Sequence, residues 1–133
     1  MPFAPSILED WASRYIENWK ALQSKVFASS QYMITAFKST RLGQEHLRAA
    51  IHQKDKTLRP QIVIQSREPR LYDLLKHFEK LTGMGGIMNT SFNLHGYPLV
   101  GTLEQAWFTF TKSGLQHLAM ENFMISKKQP ENN

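Results

Sequence analysis

Strand-like and helix-like stretches alternate along this chain without a fixed repeat, which predicts an α/β or α+β domain. Three observations carry that expectation. Runs rich in β-branched and aromatic residues occur at 32–37 and 61–65. Two stretches place apolar residues at helical spacing between a start signal and a stop signal. The chain has 133 residues and is 41% hydrophobic, with eight Phe and three Trp, enough for one domain with a core.

Taken in order, Ser6 and Glu9 read as a capping box opening a helix over 7–19. Its face is Leu8, Trp11, Ala12, Tyr15, Ile16 and Trp19, so both tryptophans are expected to pack inward. Residues 20–30 show no decisive pattern. A strand is expected at 32–37, a short helix at 44–51 and a polar loop at 53–57. Pro60 precedes a second strand at 61–65, beginning just after the proline or lying at an edge. Pro69 suits the first turn of the clearest helix, with Leu71, Leu74, Leu75, Phe78 and Leu81 on one face and Gly83 as its stop. A strand begins at Ile87, and 97–100 suits a short return strand. Thr102 and Gln105 form another capping box, opening a helix that Ser113 and Gly114 end. Two short strands, 115–119 and 123–125, follow. One domain is expected over 1–126, with 127–133 as a frayed polar tail.

The formal charge of +5 is concentrated. Between Lys38 and Arg70 lie Lys38, Arg41, Arg48, Lys54, Lys56, Arg59, Arg67 and Arg70, against Glu45, Asp55 and Glu68. A solvated surface, a phosphate pocket and a nucleic-acid surface are all compatible with this, although no nucleic-acid motif accompanies it. The absence of cysteine excludes disulfides and thiolate chemistry. The five histidines lack metal-ligand spacing, so no bound metal is expected. No signal peptide and no apolar run of membrane-spanning length is seen, making a cytoplasmic location the default. Walker and Rossmann fingerprints are missing. Ser91, His95 and Asp73 lack the nucleophile elbow that would support a triad.

The segment 89–96, Asn-Thr-Ser-Phe-Asn-Leu-His-Gly, is the densest polar cluster. Such a cluster is either a turn bonded to itself or a surface that reads a ligand. Ser91 and the amides of Asn89 and Asn93 can donate to phosphate or ribose oxygens. Arg59, Arg67 and Arg70 would supply charge if the fold brought them across, since a guanidinium fork suits phosphate. His52 adjoins another polar segment.

The pattern resembles the C-terminal domain of the NodU/CmcH-type O-carbamoyltransferases. Residues 88–100 reproduce, with few changes, that family's Leu-Asn-Thr-Ser-Phe-Asn-x-x-Gly-Glu-Pro-Ile-Val ending. Residues 1–9, Met-Pro-Phe-Ala-Pro-Ser-Ile-Leu-Glu, are similar to Arg-Pro-Phe-Ala-Pro-Ser-Ile-Leu-Glu. Gln31-Tyr32-Met33 resembles Pro-Tyr-Met, and 52–63 resembles His-x-Asp-Gly-Thr-x-Arg-x-Gln-Thr-Val. Residues 67–72 resemble Asn-Pro-Arg-Phe-Tyr and 122–125 Gly-Asn-Phe-Leu-Val. The resemblance covers nearly the whole chain in preserved order.

It implies a YrdC/Sua5-like twisted mixed sheet with flanking helices. The activity implied is formation of a carbamoyl-adenylate from ATP and carbamoyl phosphate. A separate, iron-dependent Kae1-like domain then transfers the carbamoyl group to a hydroxyl. Carried over by motif, Ser91 and Asn93 are the Ser-x-Asn element of the nucleotide and phosphate pocket, with Asn89, Arg59, His52 and Arg70 lining or supporting it. The family's Lys-x-Arg-Glu segment would precede residue 1, so the fold is expected to be incomplete at its N-terminus. Tyr97 replaces a Glu, Gly101-Thr102-Leu103 replaces Cys-Thr-Pro, and Lys56 replaces a glycine. Complete carbamoyl transfer by this chain alone is therefore not expected. Two roles remain open: a domain retaining part of the pocket and working with a separately encoded Kae1-like partner, or a non-enzymatic interaction domain, as a homodimer or docked to a partner.

Overall fold

The computed structural model of the chain describes residues 4–128, and the side chains of all of these except 26–28. The chain divides into two compact units, Met1–Thr90 and Ser91–Asn133, each described by itself below.

In the first unit, β1 (Ala4–Leu8) is buried along its whole length. It is the middle strand of three, between β4 (Gln61–Val63), which runs parallel, and β5 (Gly86–Asn89), which runs antiparallel. Ser6 lies opposite Gln61 and Ala4 opposite Asn89. Pro5 falls before the β4 register begins at Ser6, so its missing N–H removes no bond from that ladder. The capping-box reading of Ser6 and Glu9 is overturned here. Strand pairing occupies the backbone of residues 4–8, and the Ser6 hydroxyl donates to Gln61 Oε1 at 2.7 Å.

The first helix, α1, is therefore shorter than expected, spanning Glu9–Tyr15. Asn18 in the left-handed region (φ 56°) separates it from α2 (Trp19–Ser30). The apolar residues of α2 are not gathered on one face, which is why periodicity did not reveal it. The apolar set read from 7–19 is nevertheless inside. Leu8, Trp11, Ala12, Tyr15, Ile16 and Trp19 join Phe37, Leu58, Ile62, Val63 and Leu75 in one core.

Of the strand expected at 32–37, only Phe37–Lys38 (β2) forms, paired with Thr57–Leu58 (β3). Met33 at φ 57° breaks the extended run, leaving Tyr32 and Ile34 exposed. The next helix, α3 (Arg41–His46), starts earlier than expected because the Thr40 hydroxyl caps it by accepting from Gly43 N at 3.0 Å. A 3-10 turn, Arg48–Ala50, follows it. The helix expected after Pro69 is α4 (Pro69–Thr82), ended by Gly83 at φ 73°. Together these give a mixed α/β fold of open sheets with flanking helices, α1 and α4 packing on β1.

The second unit holds α5 (Leu103–Lys112) and a hairpin of β6 (His117–Met120) and β7 (Phe123–Ser126). The Thr102/Gln105 capping box is present in full. The return strand expected at 97–100 does not form. That stretch is tied instead by Tyr97 N to Leu94 O at 3.0 Å and Val100 N to Phe92 O at 3.1 Å. Lys127 donates from its backbone to Gln116 O and from Nζ to Ser113 O. Residues 129–133 of the expected tail lie outside the described residues.

One contact locks β1 and α1 to the approach of β5. Leu8 N donates to Gly85 O at 2.9 Å, and Gly85 N donates to the Tyr15 hydroxyl at 3.0 Å. The same hydroxyl lies 2.9 Å from His46 Nδ1, in hydrogen-bond contact with it. Burial raises the Tyr15 pKa, which keeps the phenol protonated. A Cβ at Gly85 would sit 2.0 Å from Trp11 Cγ, inside an indole that is 6% exposed. Gly85→Ala is therefore expected to destabilise the protein by about 2 kcal/mol or more, measurable by urea denaturation.

Candidate functional site

The loop before β3 is built around one carboxylate. Asp55 Oδ1 accepts from Thr57 N at 3.0 Å, from Thr57 Oγ1 at 2.7 Å, and faces His52 Nδ1 at 2.9 Å. Backbone bonds from His52 N to Thr57 O and from Lys56 N to His52 O close the same loop. The Thr57 hydroxyl and amide, then His52, hold Asp55 well below the usual carboxylate range, at about 2. An ionised carboxylate only accepts, so His52 Nδ1 is the donor. His52, Asp55, Thr57 and Arg59 line a cavity of about 110 Å³, with Ala36, Ala50 and Leu58 as its apolar wall. A guanidinium on the cavity can hold a phosphate oxygen by position and charge, and an imidazole that donates from Nδ1 offers an acceptor at Nε2, neither needing covalent chemistry.

Lys56 stands where the resembled family carries glycine, and its φ is 58°. A side chain is strained there and glycine is not. The loop nevertheless keeps the shape that places His52 against Asp55.

Asn89 belongs to a different polar group. At the end of β5 its Nδ2 donates to Gln61 Oε1 at 2.9 Å, the atom that also accepts from Ser6. Gln61 Nε2 in turn donates to both carboxylate oxygens of Glu68, each at 3.2 Å, at the N-cap of α4. All three strands of the sheet thus meet through one glutamine. Arg70 is exposed in the first turn of α4, where its charge opposes the helix dipole. Ser91 and Asn93 lie in the second unit. Ser91 is exposed, and Asn93 Nδ2 donates to Leu94 O at 3.2 Å and Tyr97 O at 2.9 Å, closing the turn with Gly96 at φ 83°.

Of the residues expected to form a pocket, His52 and Arg59 share a cavity, whereas Asn89 and Arg70 do not line it. Sequence reasoning missed Asp55, Thr57 and Gln61. The first two were signalled by His, Asp and Thr at positions i, i+3 and i+5 of a polar loop; Gln61 carried no local signal. Among the described residues no three His, Asp or Glu side chains gather as a metal site, and no helix is long and apolar enough to cross a membrane.

Asp55 has a folded pKa near 2 against an ordinary 3.8. It therefore contributes stability that is fully present above the ordinary value and is lost as pH falls through the folded one. Asp55→Asn should flatten the acid limb of a denaturation midpoint measured against pH, leaving the neutral limb parallel to the parent. Lys56→Gly should raise stability by at most about 1 kcal/mol, the relief of left-handed strain less the greater freedom of an unfolded glycine. Denaturant titration at neutral pH would read the difference.

The sequence comparisons agree with one another. The carbamoyltransferase C-terminus profile matches residues 1–127. An uncharacterized protein of Methanocaldococcus jannaschii is 36% identical over 127 residues, covering 96% of this chain and 19% of that protein. The nodulation protein NolO of Bradyrhizobium diazoefficiens is 32% identical over 127 residues, covering 96% of this chain and 22% of its own. The nodulation protein NolNO of Sinorhizobium fredii is 30% identical, covering 96% and 18%. The chain thus spans 18% to 22% of the length of these relatives. A profile matched over nearly every residue leaves one conclusion: the chain belongs to the carbamoyltransferase C-terminal family.

Proposed function

We propose that this chain is the nucleotide-side domain of a carbamoyl-transferring system, of YrdC/Sua5-like type, and binds ATP and carbamoyl phosphate. The observation that carries the reading is the cavity that pairs Arg59 with a His52 oriented by Asp55. Family membership supplies the substrate class. In this reading Arg59 holds phosphate oxygens with its fork, and His52 Nε2, the acceptor of an imidazole that donates from Nδ1, takes a hydrogen bond from a ligand N–H. Within the first unit Asn89 and Arg70 are the supporting residues; Ser91 and Asn93, the Ser-x-Asn element, are the second unit's own phosphate-binding residues. The residues act by binding and orienting phosphate oxygens and by stabilising the negative charge on them. Transfer to a hydroxyl falls to a Kae1-like domain, encoded separately or within a longer chain, which brings its own iron. The protein acts in the cytoplasm.

Calorimetry with ATP and with carbamoyl phosphate tests the reading. Binding in the millimolar range or tighter is expected for each. Arg59→Met should weaken it by about tenfold or more and Ser91→Ala by an amount of order 1 kcal/mol. Absence of heat from either ligand with a folded sample would leave the non-enzymatic, interaction-domain role in its place.

A further inference from the structure

The polar side chains on the cavity at His52 and Arg59 are of two opposite kinds. Arg59 only donates. His52 gives its Nδ1 proton to Asp55, so the nitrogen it has left, Nε2, only accepts. The His52 side chain is 49% exposed and makes no further hydrogen bond among the described residues, which leaves Nε2 for a ligand. Asp55 is an anion whose Oδ1 is engaged by His52 and by the amide and hydroxyl of Thr57. The rest of the lining, Ala36, Ala50 and Leu58, brings no polar side-chain atom.

This combination selects which end of a phosphorylated ligand enters. A neutral group bearing an N–H satisfies Nε2. A methyl group in its place leaves that acceptor without a donor. A carboxylate in its place meets the lone pair of Nε2 and the charge of Asp55. ATP and carbamoyl phosphate each offer an N–H, on the purine and on the carbamoyl group, and size separates them. At roughly 30 Å³ per water-sized group, a cavity of about 110 Å³ holds about four heavy atoms. A carbamoyl ester is of that size, and a purine is far larger. We propose that His52 reads the carbamoyl end of carbamoyl phosphate, Nε2 accepting from its N–H while Arg59 holds its phosphate. The assignment rests on the phosphate-binding role given to Arg59.

Three stable phosphonates that differ at a single group test this by calorimetry on the full chain, at neutral pH and constant ionic strength. Phosphonoacetamide carries the amide, acetonylphosphonate a methyl group in its place, and phosphonoacetate a carboxylate. Phosphonoacetamide is expected to bind about fivefold or more tighter than either of the others. The parent's own preference is a test that needs no variant. His52→Asn keeps a side-chain N–H for Asp55 but has no counterpart of Nε2. It should lose the preference, binding phosphonoacetamide only as tightly as acetonylphosphonate. Adenosine, which brings an N–H and no phosphate, should not displace phosphonoacetamide. Equal binding of phosphonoacetamide and acetonylphosphonate by the parent overturns the proposal and leaves phosphate binding at Arg59 standing. A preference that survives in His52→Asn, or displacement by adenosine, overturns it in the same way. Binding of none of the three phosphonates removes the phosphate-binding role of Arg59 itself, and the proposal with it.

Discussion

The constraint on which the first unit depends is the burial of β1 on both of its faces while it pairs on both of its edges. Ala4, Pro5, Ser6, Ile7 and Leu8 are all inside. A strand in that position must satisfy its backbone laterally, and it does so with β4 on one side and β5 on the other. The polar group of Ser6, Gln61, Glu68 and Asn89 is tied to those two neighbours. β4 carries Gln61 and leads towards Arg67, Glu68 and α4; β5 ends on Asn89. The helix that follows β1 supplies Trp11, whose indole leaves no room for a Cβ at 85, and Tyr15, whose hydroxyl accepts from Gly85 N.

Two kinds of polar group rest on this frame. One is local: His52, Asp55 and Thr57 bond within six residues and would hold their shape in any setting that tolerates Lys56 in the left-handed region. The other is assembled from distant positions. Ser6, Gln61, Glu68 and Asn89 meet because β1, β4 and β5 lie side by side. The orphaned amide of Gln31 is of the second kind too, set by an arginine 36 residues away in sequence. Local clusters suit contacts that need fixed geometry at an exposed rim. Assembled ones link the stability of the sheet to the position of their members.

Local signals were reliable where one short-range interaction decides the outcome. Pro69 and Gly83 bound α4, and Thr102 with Gln105 caps α5, because each acts within one helical turn. The same kind of signal misled at Ser6. Its hydroxyl and Glu9 have capping-box spacing, yet pairing with two strands satisfies more of the backbone than a cap does, and the helix gives way. At 32–37 the β-branched run was real but Met33 turned the chain. α2 was missed since its apolar residues share no face. For the polar segment 89–96, composition left turn and ligand surface open. Asn93 closes the turn, while Asn89 faces Gln61.

From the sequence alone come the α/β class, the inward set of residues between Leu8 and Trp19, the two capped and terminated helices, and the family, whose motifs run in order along nearly the whole chain. All of these rest on spacing or on contacts a few residues long. The tertiary structure alone decided that 4–8 is the central strand, that His52 and Arg59 line one cavity, and that Gln31 Nε2 has no acceptor among the described residues. Each depends on residues tens of positions apart, or on the choice between two locally acceptable conformations. Lateral pairing and burial make that choice, and neither leaves a mark on neighbouring residues.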